Sequence, residues 1–339
     1  MTIESQCIRG QVVVTWPSFD PEEPETGLLL RQAGLDIRLA PKLGTRTTEE
    51  VGRIMGDAVA AIVSTDPFDR SVFVAAPRLR AIARVGVGID SIDMKAATEA
   101  GVAVTTTPGA NNQTVADHTL ALMLAAVRRV TENDASVRRG DWDRAGPLTP
   151  WDLNGRTVGI VGLGDIGSAV AQRLRGFGVR LLVSDPATPR RPNLELVDLH
   201  ELLERADIVT LHLPLGDSTR HLIGTRELER MRSEAILVNT SRGGLIEESA
   251  LIDALCRGAL RAAALDVFED EPPRAERLRK LPNVVLSPHI AGLSHASIAL
   301  MTRQATKSIL DTLAGRVTPA VRNPAALTSD GAGGGGSGP

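Results

Sequence analysis

An apolar run, Thr157-Val158-Gly159-Ile160-Val161, leads directly into Gly162-Leu163-Gly164-Asp165-Ile166-Gly167 and then into an amphipathic stretch over 168–177. Strand, glycine triplet and helix in this order build the turn of a parallel α/β unit that can receive a dinucleotide. The first glycine permits the tight turn and the second lets the backbone approach a pyrophosphate. The third lets the helix pack close, and the helix opening presents free N–H groups with partial positive charge. The next strand, 180–184, ends at Asp185, 23 residues after Gly162, where a carboxylate can accept from ribose hydroxyls and repel a 2′-phosphate. NAD is therefore expected rather than NADP. Arg190 and Arg191 follow closely enough to soften that preference, so NADP is not excluded.

Other short apolar runs alternate with helical patterns, which predicts α/β architecture with parallel strands. They fall at 12–15, 60–64, 81–85, 208–213, 236–239, 262–265 and 284–286, and several are apolar on both faces, as helix-covered parallel strands require. A chain of 339 residues suits two domains. A helix over about 115–129 follows the capping stretch Asn111-Asn112-Gln113-Thr114, and its nearly all-round apolarity places a domain crossover near 107–109. A second boundary is expected near 291–293, before a final helix over about 295–314. One long sheet without a cleft is the alternative.

Composition removes several function classes. A net charge of −3 and no long Lys/Arg run give no case for nucleic acid. No apolar stretch approaches the roughly 18 residues of a membrane span, and the amino end lacks the pattern of a secretory signal. Cys7 and Cys256 provide neither a disulfide framework nor metal-ligand spacing, so no metal and a cytoplasmic location are expected. The glycine-rich end, from 326 onward, is expected to be a flexible tail.

Three further segments end strands with chemistry. His289 lies in Ser287-Pro288-His289-Ile290-Ala291-Gly292, Arg242 in Asn239-Thr240-Ser241-Arg242-Gly243-Gly244, and Glu271 closes the run Leu265-Asp266-Val267-Phe268-Glu269-Asp270-Glu271. Each alone has an ordinary reading as a loop or solvated residue. Together, at successive strand ends of one parallel sheet, they supply a proton donor, a cation and an orienting carboxylate beside a cofactor crevice.

With Arg84-Val85-Gly86-Val87-Gly88-Ile89-Asp90 and Val115-Ala116-Asp117-His118, these motifs make residues 60 to about 324 resemble the D-isomer-specific 2-hydroxyacid dehydrogenases, the phosphoglycerate, D-lactate and glyoxylate/hydroxypyruvate dehydrogenases. The resemblance implies two Rossmann-like doubly wound domains with a cleft between them. Residues 1–107 and 293–325 would bind substrate, and 108–292 would bind NAD. It implies hydride transfer between NAD(H) and C2 of a small D-2-hydroxy acid or 2-keto acid.

By the same resemblance His289 is the acid/base, Glu271 orients it and Arg242 holds the substrate. A carboxylate beside an imidazole favours the protonated ring that keto-acid reduction needs, and a guanidinium fork suits a carboxylate. Val87 and Gly88 would bind the substrate carboxylate through backbone N–H groups, with Asn111 steadying their loop. Gly162, Gly164, Asp165, Ile166, Gly167, Asp185, Thr210, His212, Pro214, Thr240, Asp266 and Gly292 would line the cofactor, Asp266 at the nicotinamide amide.

His118, His200, His221 and His295 are expected to be structural or superficial, with His295 the nearest to the pocket mouth. The stretch 142–151 resembles an element that often joins two subunits, so a homodimer is expected. One departure concerns substrate: Asp66-Pro67-Phe68 stands where phosphoglycerate-type members carry an arginine, an unfavourable charge near a trianion unless Arg70 or Arg84 compensates. Asp117 replaces the more usual Glu before His118. Formate or phosphite dehydrogenases of the same fold, and NAD-sensing co-repressors, are the rival readings.

Overall fold

The computed structural model describes residues 9–142, 144, 146, 149–189 and 194–327, and its strands form two all-parallel sheets. Strands β1 (Gly10–Val14), β2 (Leu35–Leu39), β3 (Ala60–Val63), β4 (Ala81–Arg84) and β5 (Ala103–Thr105) make the first, in the order β2-β1-β3-β4-β5. The second contains β6 (Thr157–Val161), β7 (Arg180–Ser184), β8 (Glu195–Leu196), β9 (Ile208–Leu211), β10 (Ile236–Asn239), β11 (Ala262–Leu265) and β12 (Val284–Leu286). Its order is β12-β11-β10-β9-β6-β7-β8. From β6 the chain winds outward through β7 and β8, then returns to β9 on β6's other side. The point where winding reverses lies between β6 and β9, where α/β sheets open a crevice for ligands.

Burial explains the doubly apolar strands. All four residues of β3 are buried, Ala60 and Ile62 in the core on one face and Ala61 and Val63 in the core on the other. In β10, Ile236 and Val238 pack on one face while Leu237 packs on the opposite one. Helices covering both faces exclude an alternating polar pattern, because each residue of a central strand meets a core.

The chain divides into two compact units, Met1–Asn111 with Ser294–Pro339, and Asn112–Leu293. These divisions fall four residues and one residue later than the boundaries read from sequence. The first unit holds the five-stranded sheet. Its β1, β3 and β4 are covered by the helix His295–Leu313, opened by a reciprocal cap between Ser294 and Ser297. Val321 bridges antiparallel to Thr105, and Arg322 Nε donates to Thr106 Oγ1 at 2.7 Å. The expected tail begins too early at 326: Pro324–Leu327 is a short 3-10 helix with Ala326 buried, and 328–339 lie outside the described residues.

The second unit holds the seven-stranded sheet. The helix Asn112–Arg128 packs on β10, β11, β12 and the helix Asp165–Leu174. It starts three residues before the expected position, so part of the anticipated capping stretch is already helical. Among the described residues, no helix is long and apolar enough to cross a membrane.

Candidate active site

Glycine geometry builds one end of the site in the second unit. Gly162 has φ +91°, and a Cβ there would stand 2.6 Å from the His212 carbonyl oxygen; at Gly167 it would stand 2.1 Å from the Gly162 oxygen. Side chains are excluded at both positions by backbone, which cannot move aside cheaply. At Gly164, by contrast, nothing lies within 4 Å of a Cβ, so the chain there faces open space. Two closed glycines and one open one are what a dinucleotide cradle requires. The helix Asp165–Leu174 begins there, and its first amides have no intrahelical acceptors.

Asp185 completes this turn. Its Oδ2 accepts from the Leu163 N–H at 2.8 Å and its Oδ1 from the Ala187 N–H at 2.8 Å. Burial alone would push this carboxyl up, yet donors from Leu163, Ala187 and Thr188 bring it below the usual range, so it stands ionised. Arg190 and Arg191, expected to soften cofactor preference, lie outside the described residues.

Beneath the turn sits His212, buried, with Nε2 3.0 Å from Thr210 Oγ1 and Nδ1 without a partner among the described residues. Desolvation lowers its pKa to about 4, so the ring is neutral. Thr210 was expected to touch cofactor. It is fully buried within β9, with its hydroxyl 3.0 Å from the His212 ring. Pro214 is exposed, and its carbonyl accepts from Thr219 Oγ1 at 2.8 Å.

Three adjacent strand ends carry the candidate reactive groups. After β10, Asn239 is fully buried, donates through Nδ2 to the Arg242 carbonyl at 2.8 Å and accepts from the Ser241 N–H at 3.0 Å. That side chain shapes the loop carrying Arg242. Thr240 is buried, its hydroxyl 2.8 Å from Thr119 Oγ1. A Cβ at Gly243 would stand 1.9 Å from the Phe268 carbonyl, so glycine is required for the β10 loop to touch the β11 loop.

After β11 and β12, His289 Nδ1 lies 2.7 Å from Glu271 Oε2. The imidazole is thereby fixed with Nε2 turned outward, and both side chains remain more than a third exposed. Among the described residues His289 is also one of three non-glycine residues with a left-handed backbone, at φ +54°. Its N–H donates to the Asp266 carbonyl at 2.8 Å, while the Ile290 and Ala291 N–H groups donate to the Asp266 carboxylate at 3.0 and 2.8 Å.

Asp266, expected at the nicotinamide amide, is 1% exposed and uses both oxygens within the protein. Besides the two amides it accepts from the Ser287 hydroxyl, and His118 Nε2 stands 3.5 Å away. Burial would raise its pKa, but His118, Ser287, Ile290 and Ala291 together lower it. Its visible part here is to grip the His289 turn. His118, expected to be incidental, belongs to this cluster. Its sequence signal was its place in the Val115 to His118 motif, but the contact became visible only once the helix lay against β12.

The remaining histidines differ. His221 pairs with Glu269, while His200 and His295 are exposed. Asp117 Oδ1 accepts from Arg173 Nε at 2.6 Å, which accounts for an acid at that position.

Val87, Gly88 and Asn111 lie in the first unit. The turn after β4 is pinned by Thr107, whose hydroxyl accepts from the Gly86 N–H at 2.8 Å and whose own N–H donates to the Gly86 carbonyl at 2.9 Å. Thr107 thus pins this turn from one side, and Asn111 Oδ1 is buried without a partner among the described residues. Asp66 is not a charge facing ligand: it is fully buried, accepting from Thr15 Oγ1 at 2.5 Å and Arg46 Nη1 at 3.0 Å. Arg70 pairs with Glu99 on the surface.

Comparison with known proteins agrees with this geometry. Residues 120–291 match the family model for the D-isomer specific 2-hydroxyacid dehydrogenase, NAD binding domain. A glyoxylate reductase from Korarchaeum cryptofilum is 45% identical over 275 residues, covering 79% of this chain and 82% of that one. A D-3-phosphoglycerate dehydrogenase from Methanocaldococcus jannaschii is 43% identical over 276 residues, 80% of this chain but only 52% of that protein. In structure, the TT0316 protein from Thermus thermophilus superimposes with TM-score 0.84 at 38% identity, covering 92% of this chain and 99% of that one.

Proposed function

The chain belongs to the D-isomer-specific 2-hydroxyacid dehydrogenases and is an NAD(H)-linked oxidoreductase of 2-hydroxy and 2-keto acids; from that premise we propose that it reduces glyoxylate or a comparably small 2-keto acid, with His289 as the acid. The observation that carries this reading is the imidazole held at Nδ1 by Glu271, 2.7 Å away, at a strand end of the sheet bearing the glycine cradle.

Bound NADH supplies the hydride that adds to C2. His289 Nε2 gives the proton that turns the carbonyl oxygen into a hydroxyl, and takes it back in the oxidative direction. Glu271 keeps the ring oriented and stabilises its positive charge. Arg242 pairs with the substrate carboxylate and polarises the carbonyl. In the first unit, the N–H groups of Val87 and Gly88 are proposed as a further carboxylate hold; no group among the described residues accepts from them. Asn111, with its buried and unpartnered oxygen, is assigned to the same substrate loop.

Small substrates are preferred because the cations near the first unit's strand ends are engaged, Arg84 donating through Nη1 to the Val85 carbonyl at 2.5 Å. Arg46 serves Asp66 and the carbonyls of Ala40 and Pro41, and Arg70 serves Glu99. A phosphorylated acid would need such a cation free. For the cofactor, Asp185 favours NAD over NADP by repelling a 2′-phosphate. Thr240, Gly292, Asp165 and Ile166 stay assigned to the cofactor side, and Asp266 joins them through the turn it holds.

A homodimer is part of the proposal, with the segment 142–151, of which 143, 145, 147 and 148 lie outside the described residues, in the interface. Trp142 is 79% exposed, and the Arg156 and Arg261 guanidinium carbons each lie 4.0 Å from the centre of the Trp151 ring. Light scattering on the purified chain tests this.

The direct test of function is absorbance at the nicotinamide band with NADH or NADPH against a panel of 2-keto acids, and with D- and L-hydroxy acids in reverse. Glyoxylate turnover with NADH and oxidation of D-isomers alone are expected. Preference for an L-isomer, or for a phosphorylated acid, would overturn the assignment.

A further inference from the structure

The turn bearing His289 adopts a backbone conformation that a residue with a side chain rarely holds unaided. Three successive N–H groups, from His289, Ile290 and Ala291, all end on one residue, Asp266. The carboxylate rotamer that receives two of them is itself fixed by Ser287. Ser287 has one proton, and it goes to Asp266, because an ionised carboxylate can only accept. Its oxygen therefore accepts from His118, whose Nε2 lies 2.9 Å away, so that nitrogen carries a hydrogen.

We propose that His118 is a positioning residue for the reaction: a fixed Nε2–H donor that acts through Ser287 and Asp266 to hold the left-handed turn carrying His289. The placement has a physical rationale. His118 sits on the helix Asn112–Arg128, which packs along β10, β11 and β12, so a rigid element of the core reaches the loop. Without that donor, Ser287 keeps its bond to Asp266 but loses the contact that fixes its own rotamer, and the carboxylate gains freedom to turn away from the Ile290 and Ala291 amides.

The inference rests on the keto-acid reading only for its kinetic arm. His118→Leu removes the donor at similar volume, and His118→Gln places an amide N–H at comparable reach. In steady-state assays the Leu variant should lose kcat about tenfold with the KM for NADH within about twofold, the pattern of a group felt in the transition state. NADH deuterated at the transferred position should show a larger isotope effect on kcat, and the Gln variant should return most of the rate. Amide exchange at Ile290 and Ala291, read by mass spectrometry without any substrate, should be faster in the Leu variant and restored in the Gln variant.

Unchanged exchange at those amides overturns the inference, whatever the substrate proves to be. So does a slower Leu variant with an unaltered isotope effect, a lowered melting temperature and no rescue by Gln, since that marks general loosening. A wild-type enzyme inactive on every keto acid defeats the preceding proposal alone, and the exchange measurement still decides this one.

Discussion

Two turns of the second unit each rest on a buried ionisable side chain, and the two have opposite charge states. Under the glycine turn lies His212, neutral, its pKa lowered to about 4 by desolvation. Under the His289 turn lies Asp266, ionised, its pKa lowered although burial alone would raise it. Burial pushes both groups toward the uncharged form; hydrogen bonding decides the outcome. His212 has one partner, Thr210, and yields. Asp266 has two backbone amides and the Ser287 hydroxyl, with His118 beside it, and keeps its charge. The first turn gets its shape from missing side chains, the second from an added carboxylate.

The sharpest way to separate the turns is to delete what only one of them carries. His289→Ala should lower turnover by about 10³-fold, the usual scale of acid/base removal, while fluorescence titration shows NADH still binding. Loss of both would mean that the turns are not independent.

Acid then challenges the two floors in different windows. Unfolded His212 takes a proton near its ordinary 6.5, whereas the folded protein resists until about 4, so stability falls as pH drops between those values, by about 3 kcal/mol at most. Asp266 loses its contribution in the same direction but at lower pH: that contribution is complete above the ordinary carboxylate value near 3.8 and disappears as pH falls through its lowered folded value. Urea midpoints from pH 7 to pH 2 should show both slopes. His212→Gln should remove only the upper one, and a curve still sloping between 6.5 and 4 in that variant would refute the assignment.

Asp266→Asn should cost about 1–3 kcal/mol, because an acceptor facing donors becomes partly a donor itself. Its kcat should fall more than its affinity for NADH; equal losses would place Asp266 in cofactor binding first. The smallest effect is expected at Asp185→Ser, where NADPH use should rise about tenfold relative to NADH, a charge-repulsion change of roughly 1.4 kcal/mol. An unmoved ratio would shift cofactor choice away from that carboxylate.

The sequence disclosed these two turns unequally. Gly162, Gly164 and Gly167 are legible because their constraint is local, and β6, β7, β10, β11 and β12 have their expected bounds because both faces are apolar. Two edge strands escaped: Leu35–Leu39 alternates with charge and is half exposed, and Glu195–Leu196 is only two residues long. β9 ends two residues before the expected position, where the chain turns out toward Pro214. His289 was visible as a motif, but its left-handed backbone was not, because the residue enforcing it is 23 positions earlier. His118 was underestimated for the same reason, since its partner is 169 positions away.

The returning carboxyl-terminal helix has a consequence for synthesis. Val12, Val14, Ile62 and Ala83 form an oily face that is closed by Met301, Ala305 and Ile309. A ribosome making this protein must finish the entire intervening unit before that cover emerges, so the first-made sheet waits half-dressed while the later-made one already has its full complement of neighbours. Nascent chains stalled before residue 300 should therefore be the form that recruits chaperones.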